Sequence, residues 1–454
     1  MADIVEHEAM ENSPEAKPYY DNKSLFYRNV LWLIFGGAAA GFGLNTAQSL
    51  MPMHMTDIGM NAQQISIALA MTGWIGIPLI LYISYLSDHW QWKMGRRLPF
   101  LIISLPPIFI AMAMFPYTAT AGMCIPLYLL FTFFVSVKFN TYPFLTYDIS
   151  RKKYWGRVTG IYSVMASLFV WLGQIVLMPM VGTHGKKTVY VLGALLVAVP
   201  TVLTIIFLKE PPLRSPQPPR FNPIPVIWSA LKLGFEYKRN VLLFLAFGLN
   251  CGLGLAFYYV PLQAKVNLGL TEGQVGTHIL QYGTLVGVLF FFFMGWTIDK
   301  IGPVKSMACG YTFAVVAMLL GFDPRWSSHS IANYTGFSLS TATLLAAAYL
   351  SNMAASNLIY MAGSIFVLSS VARENVATFA ACNGAINLFI QSCIMSLAGT
   401  LMTKVFHENY GFAFVAGTAM VTCGIPLFFI IDRWRKQLAA ATHVTIAVTE
   451  SADA

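Results

Sequence analysis

Long apolar runs separated by short polar stretches fill the chain from near residue 29 to near residue 432. Each run is continuous over roughly twenty positions, the length a helix needs to cross the hydrocarbon of a bilayer. Barrel strands would alternate apolar and polar positions, so they are excluded. Runs near 29–51, 64–87, 98–119, 123–147, 158–182 and 188–208 predict six helices, and runs near 240–264, 274–298, 305–322, 340–369, 377–404 and 411–432 predict six more.

Between the two sets, the proline-dense stretch from Glu210 to Pro225 forbids a helix and favours an extended linker. Residues 226–237 follow with Val226, Ile227, Ala230, Leu231 and Phe235 at helical spacing. That spacing suits either an amphipathic helix on the membrane surface or a short helix docked on the bundle. The expected organisation is a disordered polar tail over 1–28, a six-helix bundle over 29–208, a linker with a short amphipathic helix over 209–239, a second bundle over 240–433 and a tail over 434–454. The halves are related. Ile58-Gly59-Met60-Asn61-Ala62-Gln63-Gln64-Ile65 recurs as Leu268-Gly269-Leu270-Thr271-Glu272-Gly273-Gln274-Val275, and Gly41-x-Gly43 recurs as Gly252-x-Gly254, at offsets of about 210 residues. The fold class expected is an all-α membrane protein with twelve transmembrane helices in two pseudo-symmetric six-helix bundles, an architecture in which transporters bind substrate between the repeats.

Composition agrees, at 57% hydrophobic and 10% charged residues. A net charge of +9 raises nucleic acid as a partner, but position decides its meaning. Of the 28 Lys and Arg, five (Lys186, Lys187, Lys265, Arg325, Lys404) fall on one side of the predicted membrane, Lys138 falls within a span, and the other 22 fall on the side of the termini. The bias places both termini in the cytoplasm and explains the charge without nucleic acid. The cysteines (Cys124, Cys251, Cys309, Cys382, Cys393, Cys423) lack CxxC spacing and predict neither disulfides nor a metal site.

The loop after the second span reads Asp88, then Gly95-Arg96-Arg97-Leu98-Pro99-Phe100, and the loop after the eighth reads Gly295-Trp296-Thr297-Ile298-Asp299-Lys300-Ile301-Gly302. These resemble the two copies of the inner-loop signature of the major facilitator superfamily. The longer first copy resembles the glycoside-pentoside-hexuronide cation symporters and their sucrose-transporter relatives. The resemblance implies that Asp88 and Asp299, each at the unfavourable end of its own helix dipole, latch the inner gate against Arg96, Arg97 and Lys300.

None of the 19 acidic residues is expected at mid-membrane, where the resembling symporters hold their cation. Lys138 stands alone there, about ten residues, or about 15 Å, from the inner end of the fourth span. Three roles are open to it: counter-charge for an anionic substrate, carrier of a coupling proton, or a lysine solvated by polar neighbours with no transport role. Other polar residues share single helix faces: Asn45 with Gln48, Lys138 with Tyr142, Trp171 with Gln174, His278 with Gln281 and Tyr282, Ser356 with Tyr360, and Asn383 with Asn387 and Gln391. Each is either interhelical glue or a substrate contact.

Absent GxSxG, HExxH and P-loop motifs, no enzymatic or ATP-driven activity is expected. The reading is a secondary or facilitative transporter in the cell membrane, working by alternating access on a small polar solute, a sugar or a sugar-derived anion. The rivals are an organic-anion carrier using Lys138, and a non-transporting receptor or assembly factor on the same fold. Expected partners are the small-molecule substrate, the lipid bilayer and a coupling proton. No cofactor or metal is expected, and the chain is expected to act as a monomer.

Overall fold

The computed structural model describes residues 19, 21–89, 92, 94–150, 155–211, 222–235, 238–285, 297–298, 300–335, 339–370 and 376–452. Among them the protein is all-α apart from one isolated bridge between Trp92 and Gly95. The helices are α1 (Lys23–Leu33), α2 (Ala40–Asp57), α3 (Ala62–His89), α4 (Leu98–Met114), α5 (Ala121–Asp148), α6 (Trp155–Phe207), α7 (Pro223–Phe235), α8 (Lys238–Asn250), α9 (Leu255–Leu262), α10 (Glu272–Val275), α11 (Pro303–Gly321), α12 (Pro324–Thr335), α13 (Thr341–Ser370), α14 (Val376–Lys404) and α15 (Phe412–Ala452). Short π-helical turns continue α1 into α2 and extend α9 and α10. The side on which α1 begins is the near side; turns such as 58–61 and 268–271 lie on the far side.

Among the described residues, ten segments are long and apolar enough to cross a membrane, two fewer than the twelve runs in the sequence. One difference is α6, whose 53 residues would measure about 80 Å if straight. It is broken at Gly185, where φ 79° and ψ 158° are open to glycine and turn the chain back. The other is the eighth run, of which residues 286–296 lie outside the described residues.

Helix α1 starts at Lys23, because the Asn22 side chain accepts from the Leu25 amide at 3.0 Å and caps the helix. Asn29, fully buried, then ties α1 to the end of α6 by donating to the Lys209 carbonyl at 2.8 Å. At the other terminus α15 continues through Ala452, so residues 434–452 extend its helix.

The sequence repeat has a local physical basis. Gly59 and Gly269 both take positive φ, 82° and 72°, to end one helix. Asn61 with Gln64, and Thr271 with Gln274, then form matching capping boxes that start the next. Glycines also close equivalent helix pairs: a Cβ on Gly43 would sit 2.2 Å from the Gly193 carbonyl oxygen, and one on Gly417 would sit 2.9 Å from that of Gly252.

Towards the far side, one apolar core runs through both halves of the chain, joining Leu50, Met53, Leu69 and Met178 to Tyr259, Val275, Met395 and Tyr410. Elsewhere the buried clusters stay within one half. Leu33, Leu98, Tyr142 and Leu208 form one in the first half, and Leu243, Phe247, Ile298 and Phe428 form another in the second.

Candidate functional site

The seam between the halves is built from two helix pairs. Along α3 and α14, Gly73 faces Ser392 and Ser66 faces Gly399, so closely that a Cβ on Gly73 would lie 1.9 Å from the Ser392 hydroxyl. Along α6 and the π-helical turn that extends α10, Gly276 meets Met178 and the Gln174 carbonyl. Tyr259 donates to the Ser66 hydroxyl at 2.6 Å and adds a polar tie across the seam.

The far-side end of the seam holds a ring of four charges. Lys186 Nζ lies 2.8 Å from Glu272 Oε1, and Lys265 Nζ lies 2.8 Å from the same oxygen. Both lysines also pair with Asp57, one to each carboxylate oxygen. Asp57 ends α2, where its charge faces the unfavourable end of that helix, and Lys265 further donates to the Met53 carbonyl at 3.2 Å. Glu272 opens α10, the favourable end for an anion. Burial raises the Glu272 pKa, but the two ammonium groups outweigh it and hold its carboxyl down to about 2. Asp57 and Lys186 belong to the first half, and Lys265 and Glu272 to the second. The ring therefore splits along the seam into two neutral pairs, losing only its two cross-seam contacts.

The near side is arranged differently. Arg96 and Arg97 pair with Asp148 at the end of α5, at 2.5 and 3.1 Å, within the first half. Asp148 and Arg97 are both buried; burial pushes the Asp148 carboxyl up, and the guanidiniums, Arg97 foremost, pull it below the usual range. Gly95, at φ 116°, lies against Glu210, whose carboxylate accepts from the amides of Arg96, Arg97 and Leu98 and so caps α4. Burial is the main reason the Glu210 carboxyl is raised. The side chain of Asp88, at the end of α3, lies outside the described residues, as do Gly295 and Asp299. Lys300 is exposed, and Gly302, at φ 83°, precedes α11.

The residues singled out along the spans separate into groups. Lys138 is 2% exposed and points into the first half, donating to the Thr201 hydroxyl at 2.8 Å, with its ammonium 5.6 Å from the Tyr142 ring centre. Tyr142 is buried and stacks on Tyr162. Asn45 turns back on the Gly41 carbonyl at 3.3 Å, and Gln48 and Trp171 are half-buried. Gln174 is buried at the seam, and its Oε1 has no hydrogen bond among the described residues. His278, Tyr282 and Tyr360 are exposed, while Gln281 donates to the Thr277 carbonyl one turn back.

On α14, Leu388 and Ser392 face α3, whereas Phe389, Cys393 and Leu397 are exposed. Asn383, Asn387 and Gln391 occupy a third face, where Gln391 approaches Gly254. The Asn383 and Asn387 carbonyl oxygens are buried and accept no hydrogen bond among the described residues. Such oxygens call for donors.

Multi-pass helices, halves that share a repeated unit and an ionic ring between those halves are the architecture in which secondary transporters hold small solutes between two repeats. The sequence model of the Major Facilitator Superfamily matches residues 5–173 and 144–381, and the chain belongs to that superfamily. Its fold is similar to that of a mutant of the nucleoside transporter NupG (13% identity, 90% of this chain and 99% of that one, TM-score 0.68). It is also similar to a POT family transporter in complex with a thioalcohol-conjugated peptide (12%, 90% and 96%, 0.67) and to a D-xylose–proton symporter (13%, 89% and 97%, 0.66). No curated protein matches the sequence.

Proposed function

We propose that this chain is a twelve-span transporter, built as bundles over 29–208 and 240–433, that moves a small hydroxyl-bearing solute such as a sugar by alternating access. The carrying observation is the ionic ring together with the shared far-side core: both join the halves at one end, while the other buried apolar clusters each stay within a single half. With the basic residues on the near side, the far side is extracellular and both termini are cytoplasmic. The protein is then closed to the outside in this conformation.

A neutral solute suits the site better than an organic anion. Lys138 is the one mid-span charge in the sequence that an anion would seek, and its ammonium is already engaged by Thr201 of the same half. The acceptor oxygens of Gln174, Asn383 and Asn387 instead ask for hydroxyl or N–H donors, and a nucleoside and D-xylose, the solutes named for two of the similar structures, are rich in them. The narrower symporter branch rests on the Asp88-to-Phe100 loop alone. With no mid-span carboxylate in the sequence, replacing Na+ with K+ is expected to leave uptake unchanged.

Thermal unfolding of the purified protein with neutral sugars, nucleosides and uronates tests this reading. A neutral polyol at about 100 times its dissociation constant is expected to stabilise by about 2.7 kcal/mol, and Asn387→Leu to abolish the effect. Stabilisation by carboxylates alone would establish the anion carrier instead.

A further inference from the structure

Helix α7 has a face that nothing in the described structure covers. Ile224 is 74% exposed, Trp228 69% and Phe235 47%, and Lys232 is exposed as well. At 100° per residue these four fall on one arc of about 80°. Three large apolar side chains lined up on a 13-residue helix are not scattered surface residues but a patch.

The position of the helix names its occupant. Only residues 236 and 237 separate α7 from α8, and α8 enters the apolar segment Val241–Asn267 within its first turn. Val241 and Leu245, 42% and 41% exposed, belong to the surface that this span turns to lipid. Phe235 edges onto Phe244, a buried residue of the same span, ring centres 6.0 Å apart, which fixes the end of α7 beside that span and its exposed Val241 and Leu245. The helix also packs against α3 and α14, which hold it at the near-side ends of the spans. A Trp, an Ile and a Phe beside a Lys at that level match the hydrocarbon edge and the anionic headgroups above it.

We propose that α7 is a membrane-docking helix, lying along the near-side leaflet with Ile224, Trp228 and Phe235 among the acyl chains and Lys232 at acidic headgroups. About 20 Å long, it would lie flat between the halves. Because it touches both α3 and α14, the seam helices, the lipid it lies in would bear on how the halves part. That consequence rests on the transporter reading; the docking does not.

The test uses the full-length chain reconstituted in phosphatidylcholine vesicles, with and without phosphatidylglycerol, with lipids brominated near the headgroup. Emission of wild type minus that of Trp228→Phe isolates Trp228. It is expected to be blue-shifted, quenched several-fold by brominated lipid and little affected by aqueous acrylamide. Lys232→Glu is expected to reduce the quenching in vesicles that contain phosphatidylglycerol and to leave it unchanged in phosphatidylcholine. Quenching by acrylamide in place of lipid would place the arc in water. Protection from both quenchers would mean that protein, from this chain or a second copy, covers it. Either result overturns the proposal, and neither depends on whether any solute is transported.

Discussion

Exchanging the charges of the second-half pair, by Lys265→Glu with Glu272→Lys, is expected to open the far side and stall transport while leaving the protein folded. Each half keeps an internal ion pair after the exchange, but both cross-seam contacts become repulsive. Like charges about 4 Å apart at an effective dielectric of 20 repel by about 4 kcal/mol each. The side chains are 16–33% exposed, so solvent screens part of this. A net change of about 2 to 4 kcal/mol moves the equilibrium between closed and open far sides roughly 30- to 1,000-fold. Adding Asp57→Lys and Lys186→Glu reverses all four charges, restores the four ion pairs at the loss of the Lys265–Met53 hydrogen bond, and should restore uptake. Failure of the fourfold variant to regain what the double variant loses would show that these residues do not act through charge.

Mild acid should not imitate that exchange. The Glu272 carboxyl is depressed to about 2 in the folded protein, so its contribution is complete above the ordinary glutamate range and is lost only as pH falls towards 2. Far-side closure should therefore be equal at pH 7.5 and pH 5 and should weaken in molar salt.

The second large effect concerns Lys138. A buried ammonium whose described contacts are one hydroxyl and one ring face is held at a cost, since no carboxylate among the described residues neutralises it. Lys138→Met keeps the length of the side chain and removes the charge. It is expected to stabilise the protein by about 1 to 4 kcal/mol, the range seen when buried ionic groups give way to apolar ones. Thermal unfolding in detergent measures this. If stability rises while uptake falls, the lysine is held for its part in the transport cycle. A loss of stability would mean that the bond to Thr201 repays the burial and that Lys138 is a structural residue.

Much of the fold is legible along the chain because bilayer thickness dictates run length and charge marks the sides. The repeat is legible too, since Gly59 with Asn61 and Gly269 with Thr271 meet the same local demand for a helix stop followed by a cap. The break in α6 hides in a single glycine, Gly185, between residues that otherwise continue a helix. The site is harder to read. Asp57, Lys186, Lys265 and Glu272 mark only a side of the membrane in the sequence, and their ring exists because four helix ends from both halves converge. A signal was present: two acids and two lysines sit at the outer ends of four predicted spans, on a side with few other charges. Lys138 draws attention as a lone charge, but its partner stands 63 residues away on a helix whose rotation no periodicity fixes. Arg96 and Arg97 likewise find Asp148, more than 50 residues on, because the start of α4 lies beside the end of α5.

If the halves close at the far side through the ring and separate there during transport, a distance measured across that end must report both states. Spin labels at Thr183→Cys in the first half and His329→Cys in the second, both exposed on the far side, report it in a background without native cysteines. One short distance is expected in the otherwise unaltered protein, a second and longer one when Lys265→Glu and Glu272→Lys are introduced, and a return to the short one in the fourfold variant. A single unchanged distance in all three would contradict closure through the ring.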